Sequence, residues 1–199
     1  MSSNIFWYIS RTAALTAYLM FFVNITLGLG MKLKFLDRLF ERWRAADLHQ
    51  FTALLGIALV GLHVFSLLGD TYYKYTVMQL LVPFTAIYRP GWTALGIVGF
   101  YGLLIVTFSC YLRKYIGQKT WRIIHFASFG LFWVIVYHGI KTGTDITSPW
   151  VKAMYIATGT IVAFLFLLRL QNFLSPSENS ETGRKPAVKK YSARAKIKS

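Results

Sequence analysis

Between residues 47 and 69 the chain reads DLHQFTALLGIALVGLHVFSLLG, and its only ionisable side chains there are Asp47, His49 and His63. A helix rises about 1.5 Å per residue, so this segment is long enough to cross the hydrocarbon core of a bilayer, about 30 Å thick. Ionisable residues inside a membrane span usually serve a function, because an unpaired polar group in hydrocarbon is costly. The segment therefore predicts a membrane helix that carries two functional histidines.

Four further segments have the same length and apolar character. Together the segments predict an all-α, integral-membrane bundle of five transmembrane helices, at about residues 5–30, 47–69, 91–112, 121–141 and 150–172. Helices are favoured over a β-barrel, because the apolar runs are continuous and a helix satisfies its own backbone hydrogen bonds in lipid. The N-terminal run lacks the basic start and the cleavage site of a signal peptide, so we expect it to remain as the first span.

The composition of the chain is also typical of a membrane protein. Of its 199 residues, 55% are hydrophobic and only 15% are charged, whereas soluble domains carry about 25% charged residues. The formal net charge of +15 does not indicate nucleic-acid binding, because the basic residues lie between and after the apolar runs instead of forming one stripe. We expect a multi-pass protein of the cell membrane.

The distribution of lysine and arginine predicts the orientation, because cytoplasmic loops are enriched in these residues. One side of the bundle has five of the 22 basic residues, which leaves 17 for the side that holds the first loop, the third loop and the C-terminal region. The five are Arg11, Lys74, Arg89, Lys141 and Lys152. The N-terminus is therefore expected outside and the C-terminus in the cytoplasm.

The C-terminal region differs from the rest of the chain. From Ser175 it reads SPSENSETGRKPAVKKYSARAKIKS, which is rich in polar and basic residues and has too little apolar content to form a core. We expect residues 1–172 to form the membrane domain and residues 173–199 a disordered, basic cytoplasmic tail. The tail has two interpretations. It could dock to anionic lipid or to an acidic partner, or it could be a solvated topology signal, which is the interpretation we favour.

All four histidines of the chain lie in two of the predicted spans. His49 and His63 are 14 residues apart on span two, and His125 and His138 are 13 apart on span four. Both separations correspond to a rise of about 20 Å, and the two spans run in the same direction because one span lies between them. His49 is therefore expected level with His125 near the cytoplasm, and His63 level with His138 near the outer side.

Two facing pairs of imidazoles suit two flat macrocycles with one axial ligand on each face. The only cysteine is Cys110 and no CxxCH motif occurs, so a covalently attached heme is excluded and two non-covalently bound heme b groups are predicted. Zinc is disfavoured, because the pairs are too far apart to converge on one tetrahedral ion. Since 13 residues of straight helix rotate the chain by about 220°, a local unwinding near Gly130 or a tilted crossing must re-aim one ring.

Span two carries the motif DLHQFTALLGIALVGLH at residues 47–63, and span four carries WRIIHFASFGLFWVIVYHG at residues 121–139. These motifs and their histidine spacings resemble the ferric reductase-like transmembrane domain superfamily. It includes the membrane portions of NADPH oxidases and ferric reductases, and the heme subunit of periplasmic methionine sulfoxide reductase systems. The first span, with WYISRTAALTAYLMFFVNITLGLG, resembles the first helix of the bacterial members, and the resemblance covers about residues 5–170.

The resemblance implies a role for each histidine and for the protein. His49 and His125 would ligate the iron of a cytoplasmic-side heme, and His63 and His138 the iron of an outer-side heme, with electrons passing between them. The flavin and nicotinamide domains of an oxidase do not follow, and no GxGxxG motif follows a strand. We therefore expect a separate electron donor, a flavoprotein or a quinol, and an external acceptor or partner protein.

Other residues near the histidines have two interpretations each. Arg11 either binds a heme propionate through a charge-assisted hydrogen bond or reaches to the membrane interface as an ordinary snorkelling arginine. Four glycines lie beside the histidines and either leave room for a porphyrin edge or serve close helix packing. They are Gly56, Gly61, Gly130 and Gly139.

Three functions remain open from the sequence. The favoured one is transmembrane electron transfer through two b-type hemes, as the membrane subunit of an oxidoreductase system, with iron bound only as heme. The second is a stand-alone reductase of ferric chelates or oxygen at the outer face. The third is a heme-free transporter or assembly factor whose histidines relay protons, which the absence of Asp and Glu from the interior of the spans disfavours.

Overall fold

The computed structural model describes residues 4–33 and 41–174. Every regular element in these ranges is a helix, and five helical segments are long enough and apolar enough to cross a membrane. The helices are α1 (Asn4–Leu33), α2 (Arg42–Leu67), α3 (Val77–Leu81), α4 (Pro90–Ile116), α5 (Gln118–Phe126), α6 (Ser128–Thr142) and α7 (Pro149–Leu174), with a 3-10 helix at Thr144–Thr147. The all-α class and the five candidate spans are confirmed, and the orientation stays a prediction.

The helices extend beyond the apolar segments. α2 begins at Arg42, before the predicted start at residue 47, and α4 continues to Ile116, beyond the predicted end at residue 112. Hydropathy marks only the part of a helix that suits lipid, whereas residues such as Arg and Ala also favour helix beyond it. α7 ends at Leu174, two residues past the predicted domain boundary, and residues 175–199 of the predicted tail lie outside the described residues.

The fourth span is interrupted at Ala127, between α5 and α6. The Ala127 amide donates to the carbonyl of Ile124 at 3.1 Å and to that of Ile123 at 3.3 Å, so the turn tightens toward 3-10 geometry. The α-helical hydrogen bonds nevertheless continue across this turn, from the Ala127 amide to Ile123 and from the Leu131 amide to Ala127. The local unwinding near Gly130 that would re-aim one histidine ring stays a prediction.

Gly117 joins α4 to α5 without an intervening loop. Its φ of +81° lies in the region that disfavours residues with a Cβ atom, and its amide donates to the carbonyl of Arg113 at 3.0 Å. α4 can therefore end and α5 begin within a single residue, which holds α5 against α4.

Aromatic side chains of α1, α6 and α7 form the packed core of the bundle. Tyr18 of α1 stacks on Phe132 of α6, with ring centroids 6.1 Å apart, and contacts the ring of Tyr155 of α7 at 4.7 Å. The Tyr18 hydroxyl is hydrogen-bonded to Thr158, as a buried phenol requires. The core therefore links the first span to the last two.

Large apolar side chains cover the outside of the described bundle. Phe65, Ile105 and Leu167 lie on three different helices and are 72%, 61% and 61% exposed. A helix that is apolar on its outward face as well as its inward face suits a lipid environment. The burial pattern thus agrees with the membrane character of the five long helices.

The segment between α2 and α4 folds over one end of the bundle. Its short helix α3 begins with a capping box between Thr76 and Gln79, and the Tyr101 hydroxyl of α4 donates to the carbonyl of Leu81 at 2.8 Å. Leu80 and Ala86 are buried. This segment therefore packs against the bundle through Leu80, Ala86 and the bond to Tyr101.

Candidate functional site

His49 of α2 and His125 of α5 lie next to each other near one end of the bundle. Their ring centroids are 6.0 Å apart, with an angle of 63° between the ring planes. A metal binds an imidazole nitrogen at about 2 Å, and the ring centre lies about 1 Å beyond that nitrogen. Two imidazoles that bind one metal from opposite sides therefore have ring centroids about 6 Å apart. The observed spacing suits this arrangement.

His63 of α2 and His138 of α6 line a common cavity toward the other end of the bundle. The cavity has a volume of about 250 Å³ and reaches from α1 to α7. Among the described residues, α2 does not pack closely against α6, and both helices line the cavity. His49 and His125 are thus in direct ring contact, whereas His63 and His138 share one cavity.

The Nδ1 atom of three histidines faces a backbone carbonyl of a neighbouring helix. The distances are 2.9 Å from His49 to the Asn24 oxygen, 3.0 Å from His63 to the Ser10 oxygen and 2.8 Å from His138 to the Trp92 oxygen. A carbonyl oxygen only accepts, so each Nδ1 must carry the proton. Each Nε2 then keeps its lone pair, which is the state in which an imidazole ligates a metal.

His125 differs from the other three histidines. Its buried Nδ1 has no hydrogen-bond partner among the described residues, and its ring instead stacks on Trp121, with centroids 5.1 Å apart and planes 26° apart. The Trp121 indole in turn donates to the Cys110 sulfur at 3.4 Å. Stacking therefore orients the His125 ring, and both of its nitrogens remain available.

The histidines occur as pairs and not as larger ligand sets. Within residues 4–33 and 41–174, no group of three His, Cys, Asp or Glu side chains could hold a metal ion. A pair of imidazoles is instead the number of axial ligands that a heme iron takes. The donor chemistry of the site therefore fits heme, although its binding stays a prediction.

Two glycines that the sequence did not single out lie directly against the histidines. A Cβ atom on Gly96 of α4 would be 2.7 Å from both ring nitrogens of His138, and one on Gly28 of α1 would be 3.2 Å from Cε1 of His49. Both glycines therefore allow an imidazole to lie on helix backbone. Gly96 belongs to the segment GIVGFYG. The glycines in this segment recur every three residues, and this spacing was the only feature of the sequence that could have marked Gly96.

The four predicted glycines have mixed surroundings. A Cβ atom on Gly56 would overlap Phe21 and one on Gly139 would overlap Tyr155, so these two serve helix packing. Gly61 and Gly130 have no other heavy atom within 4 Å of that position. Only this second pair leaves open space beside the histidine-bearing helices.

Arg11 has a partner that the sequence did not predict. Its Nε donates to the Asp145 carboxylate at 2.6 Å, the two side chains form an ion pair, and the guanidinium lies 3.8 Å from the centre of the Trp7 ring. Arg11 and Asp145 both line the cavity of His63 and His138. The expectation that Arg11 binds a heme propionate stays a prediction, with Asp145 already balancing its charge.

The Arg11–Asp145 pair links α1 to the 3-10 helix and is expected to stabilise the fold. Because both side chains are only partly buried, at 29% and 21% exposed, we expect Asp145→Asn to lower the free energy of unfolding by about 1 kcal/mol, nearer to the effect of an exposed pair than to that of a buried one. Thermal unfolding in detergent measures this. Adding Arg11→Gln to Asp145→Asn should cause little further loss, and fully additive losses would contradict the pairing.

Four tyrosines of the α2–α4 segment form a cluster, and three of them line the cavity. The ring of Tyr73 lies 4.7 Å from that of Tyr72, 5.8 Å from Tyr75 and 4.8 Å from Tyr88, and the last two line the cavity together with Tyr73. Burial raises the pKa of Tyr75 to about 12, with smaller contributions from Tyr73, Asp70 and Tyr88. The phenol of Tyr75 therefore stays neutral at physiological pH.

The raised pKa of Tyr75 predicts a loss of stability at alkaline pH. An unfolded tyrosine loses its proton near pH 10, whereas folded Tyr75 keeps it until about pH 12, so stability falls as the pH rises through this interval. Tyr75→Phe should remove this part of the decline and reduce by one the number of phenolates that form near pH 12 in an ultraviolet titration. A wild-type titration that is complete below pH 11 would refute the shift.

No protein-family model, curated protein or solved structure matches this chain.

Proposed function

We propose that this protein is a membrane cytochrome b, which carries electrons across the bilayer through two b-type hemes as the membrane subunit of a redox system. The proposal is supported by the contact between His49 and His125, by the cavity that His63 and His138 share, and by the three Nδ1 atoms that face backbone carbonyls. His49 and His125 would hold one heme, and His63 and His138 the other. Heme supplies one-electron chemistry at its iron.

The protein's own contribution is to orient the imidazoles and to exclude water. A hydrogen bond from Nδ1 to a carbonyl fixes the tautomer and makes Nε2 a stronger donor. Since α2 is uninterrupted from Arg42 to Leu67, His49 and His63 lie about 21 Å apart along its axis. This separation spans most of the hydrocarbon thickness, so the two pairs suit electron transfer from one side of the membrane to the other.

The proposed topology assigns the two histidine pairs to opposite sides of the membrane. The distribution of basic residues supports an external N-terminus and a cytoplasmic C-terminus in the cell membrane, which assigns His49 and His125 to the cytoplasmic side. The resemblance to the ferric reductase-like superfamily supports a separate electron donor, either a cytoplasmic flavoprotein or a quinol. An external acceptor or partner protein would then receive electrons beside the cavity of His63 and His138.

Transfer across a sealed vesicle tests this function. Purified protein is reconstituted into lipid vesicles that contain ferricyanide, with valinomycin and K⁺ to balance charge, and dithionite is added outside. We expect the trapped ferricyanide to be reduced much faster than in protein-free vesicles, because electrons must pass both histidine pairs. The His63→Ala protein is the matched control and should reduce ferricyanide no faster than empty vesicles.

The competing functions give different outcomes in the same experiment. A wild-type protein that binds heme but leaves the trapped ferricyanide oxidised would contradict transmembrane transfer and favour a reductase that acts at one face only. A protein purified without heme after heme-sufficient expression would contradict both and favour the heme-free transporter or assembly factor.

A further inference from the structure

Helix α1 contacts both histidines of α2 at matching positions. Ser10 and Asn24 are 14 residues apart on α1, as are His49 and His63 on α2. Because the two helices are antiparallel, Ser10 lies against His63 and Asn24 lies against His49. One helix therefore supplies a polar partner to one histidine of each pair.

Ser10 contacts His63 through three hydrogen bonds. Its Oγ lies 2.8 Å from Nδ1 of His63 and donates to the His63 carbonyl at 3.2 Å, while the Ser10 carbonyl accepts from the same Nδ1 at 3.0 Å. Since that hydroxyl proton is used on the His63 carbonyl, Oγ is free to accept from Nδ1. Ser10 is only 3% exposed, so water does not compete for these bonds.

Asn24 contacts His49 through both its backbone carbonyl and its side-chain amide. The Asn24 carbonyl accepts from Nδ1 of His49 at 2.9 Å, and the Asn24 side-chain amide donates to the His49 carbonyl and, at 3.0 Å, to Oγ1 of Thr52. The side chain therefore locks the backbone of α1 to that of α2 at the level where the imidazole is held.

We infer that Ser10 and Asn24 are positioning residues, each of which tunes one heme: Ser10 the outer-side heme through His63, and Asn24 the cytoplasmic-side heme through His49. The inference rests on the proposed function. An acceptor at Nδ1 gives the imidazole partial imidazolate character, which strengthens Nε2 as a donor and favours the oxidised iron. Loss of the Ser10 hydroxyl removes one acceptor at Nδ1 of His63 directly. Loss of the Asn24 side chain leaves the Asn24 carbonyl in place but removes the bonds that lock it against α2, which weakens its hydrogen bond with Nδ1 of His49. Each loss should therefore raise the midpoint potential of its own heme and leave the other unchanged.

Redox titration of purified Ser10→Ala and Asn24→Ala proteins tests the inference. The two potentials are assigned with the His49→Ala and His63→Ala proteins, and the low-spin ferric signals are followed by electron paramagnetic resonance. We expect each variant to keep two hemes and to shift one potential upward, by about a threefold change in the equilibrium constant for reduction. Ser10→Thr, which keeps the hydroxyl, should restore the outer-side potential.

Ser109→Ala is the matched control for a buried serine. Ser109 is 4% exposed and donates only to the carbonyl of Val106 in its own helix, at 2.7 Å, so both potentials should stay at wild-type values.

Unchanged potentials and signals in both test variants, or equal shifts of both hemes in each, would overturn the inference. If Ser10→Ala does not accumulate in membranes, Asn24→Ala decides alone. A wild-type protein without heme would refute the proposed function instead.

Discussion

Replacing His63 with alanine is expected to leave a protein that binds about one heme b per chain instead of two. The substitution removes one of the two imidazoles that line the cavity, and α2 has no other histidine within reach of His138 in the described structure. His138→Ala should have the same effect, because it removes the facing ligand. The pyridine hemochrome content per purified chain measures both results.

The complementary substitution supplies the control. His49→Ala should also leave about one heme, but the remaining spectrum should be the one that His63→Ala removes, because the two pairs lie at different levels of the bundle. Ser109→Ala should keep both hemes. If His63→Ala retained the full heme content, or if both histidine variants lost the same heme, the assignment of two separate pairs would be wrong.

Gly96→Ala is expected to remove or strongly weaken the outer-side heme, although alanine is the better helix former by about 1 kcal/mol. The added methyl group would lie 2.7 Å from both ring nitrogens of His138, and the backbone of α4 that carries it cannot easily move. The ring must therefore leave its place against α4 and lose its bond to the Trp92 carbonyl. Heme content and the outer-side spectrum report the result.

Two further glycines calibrate this prediction. Gly91 lies on the same helix and has no other heavy atom within 4 Å of an added Cβ atom, so Gly91→Ala should be neutral. Gly28→Ala should have an intermediate effect on the cytoplasmic-side pair, because its contact with His49 is 3.2 Å and a small shift of the ring relieves it. A Gly96→Ala protein with normal heme would show that His138 does not need this position.

The parts of the structure that depend on local sequence were predictable. Continuous apolar runs predicted five spans, because hydropathy and helix length are properties of each segment alone. The equal spacing of the histidines on two spans likewise predicted that His49 lies beside His125, and their ring centroids are 6.0 Å apart. It also placed His63 and His138 at a second level, where both line one cavity. The re-aiming of one ring that the 13-residue spacing requires stays a prediction, because the helix between His125 and His138 shows only a tightened turn at Ala127.

The contacts between helices were not predictable from one sequence. Ser10, Asn24 and Trp92 approach the histidines through the rotation and relative height of neighbouring helices, and hydropathy carries no information on either when helices are apolar on all sides. Gly96 was passed over for the same reason, since glycine is common in membrane helices. The ion pair of Arg11 joins residues 134 positions apart, a separation that no local pattern reveals.

The central claim is that the histidine pairs hold heme, and an absorbance spectrum of the purified wild-type protein tests it most directly. The protein is expressed with sufficient heme, purified in detergent, and measured as a reduced-minus-oxidised difference together with a pyridine hemochrome assay. We expect b-type bands and about two hemes per chain. A colourless protein that remains folded and helical would contradict it.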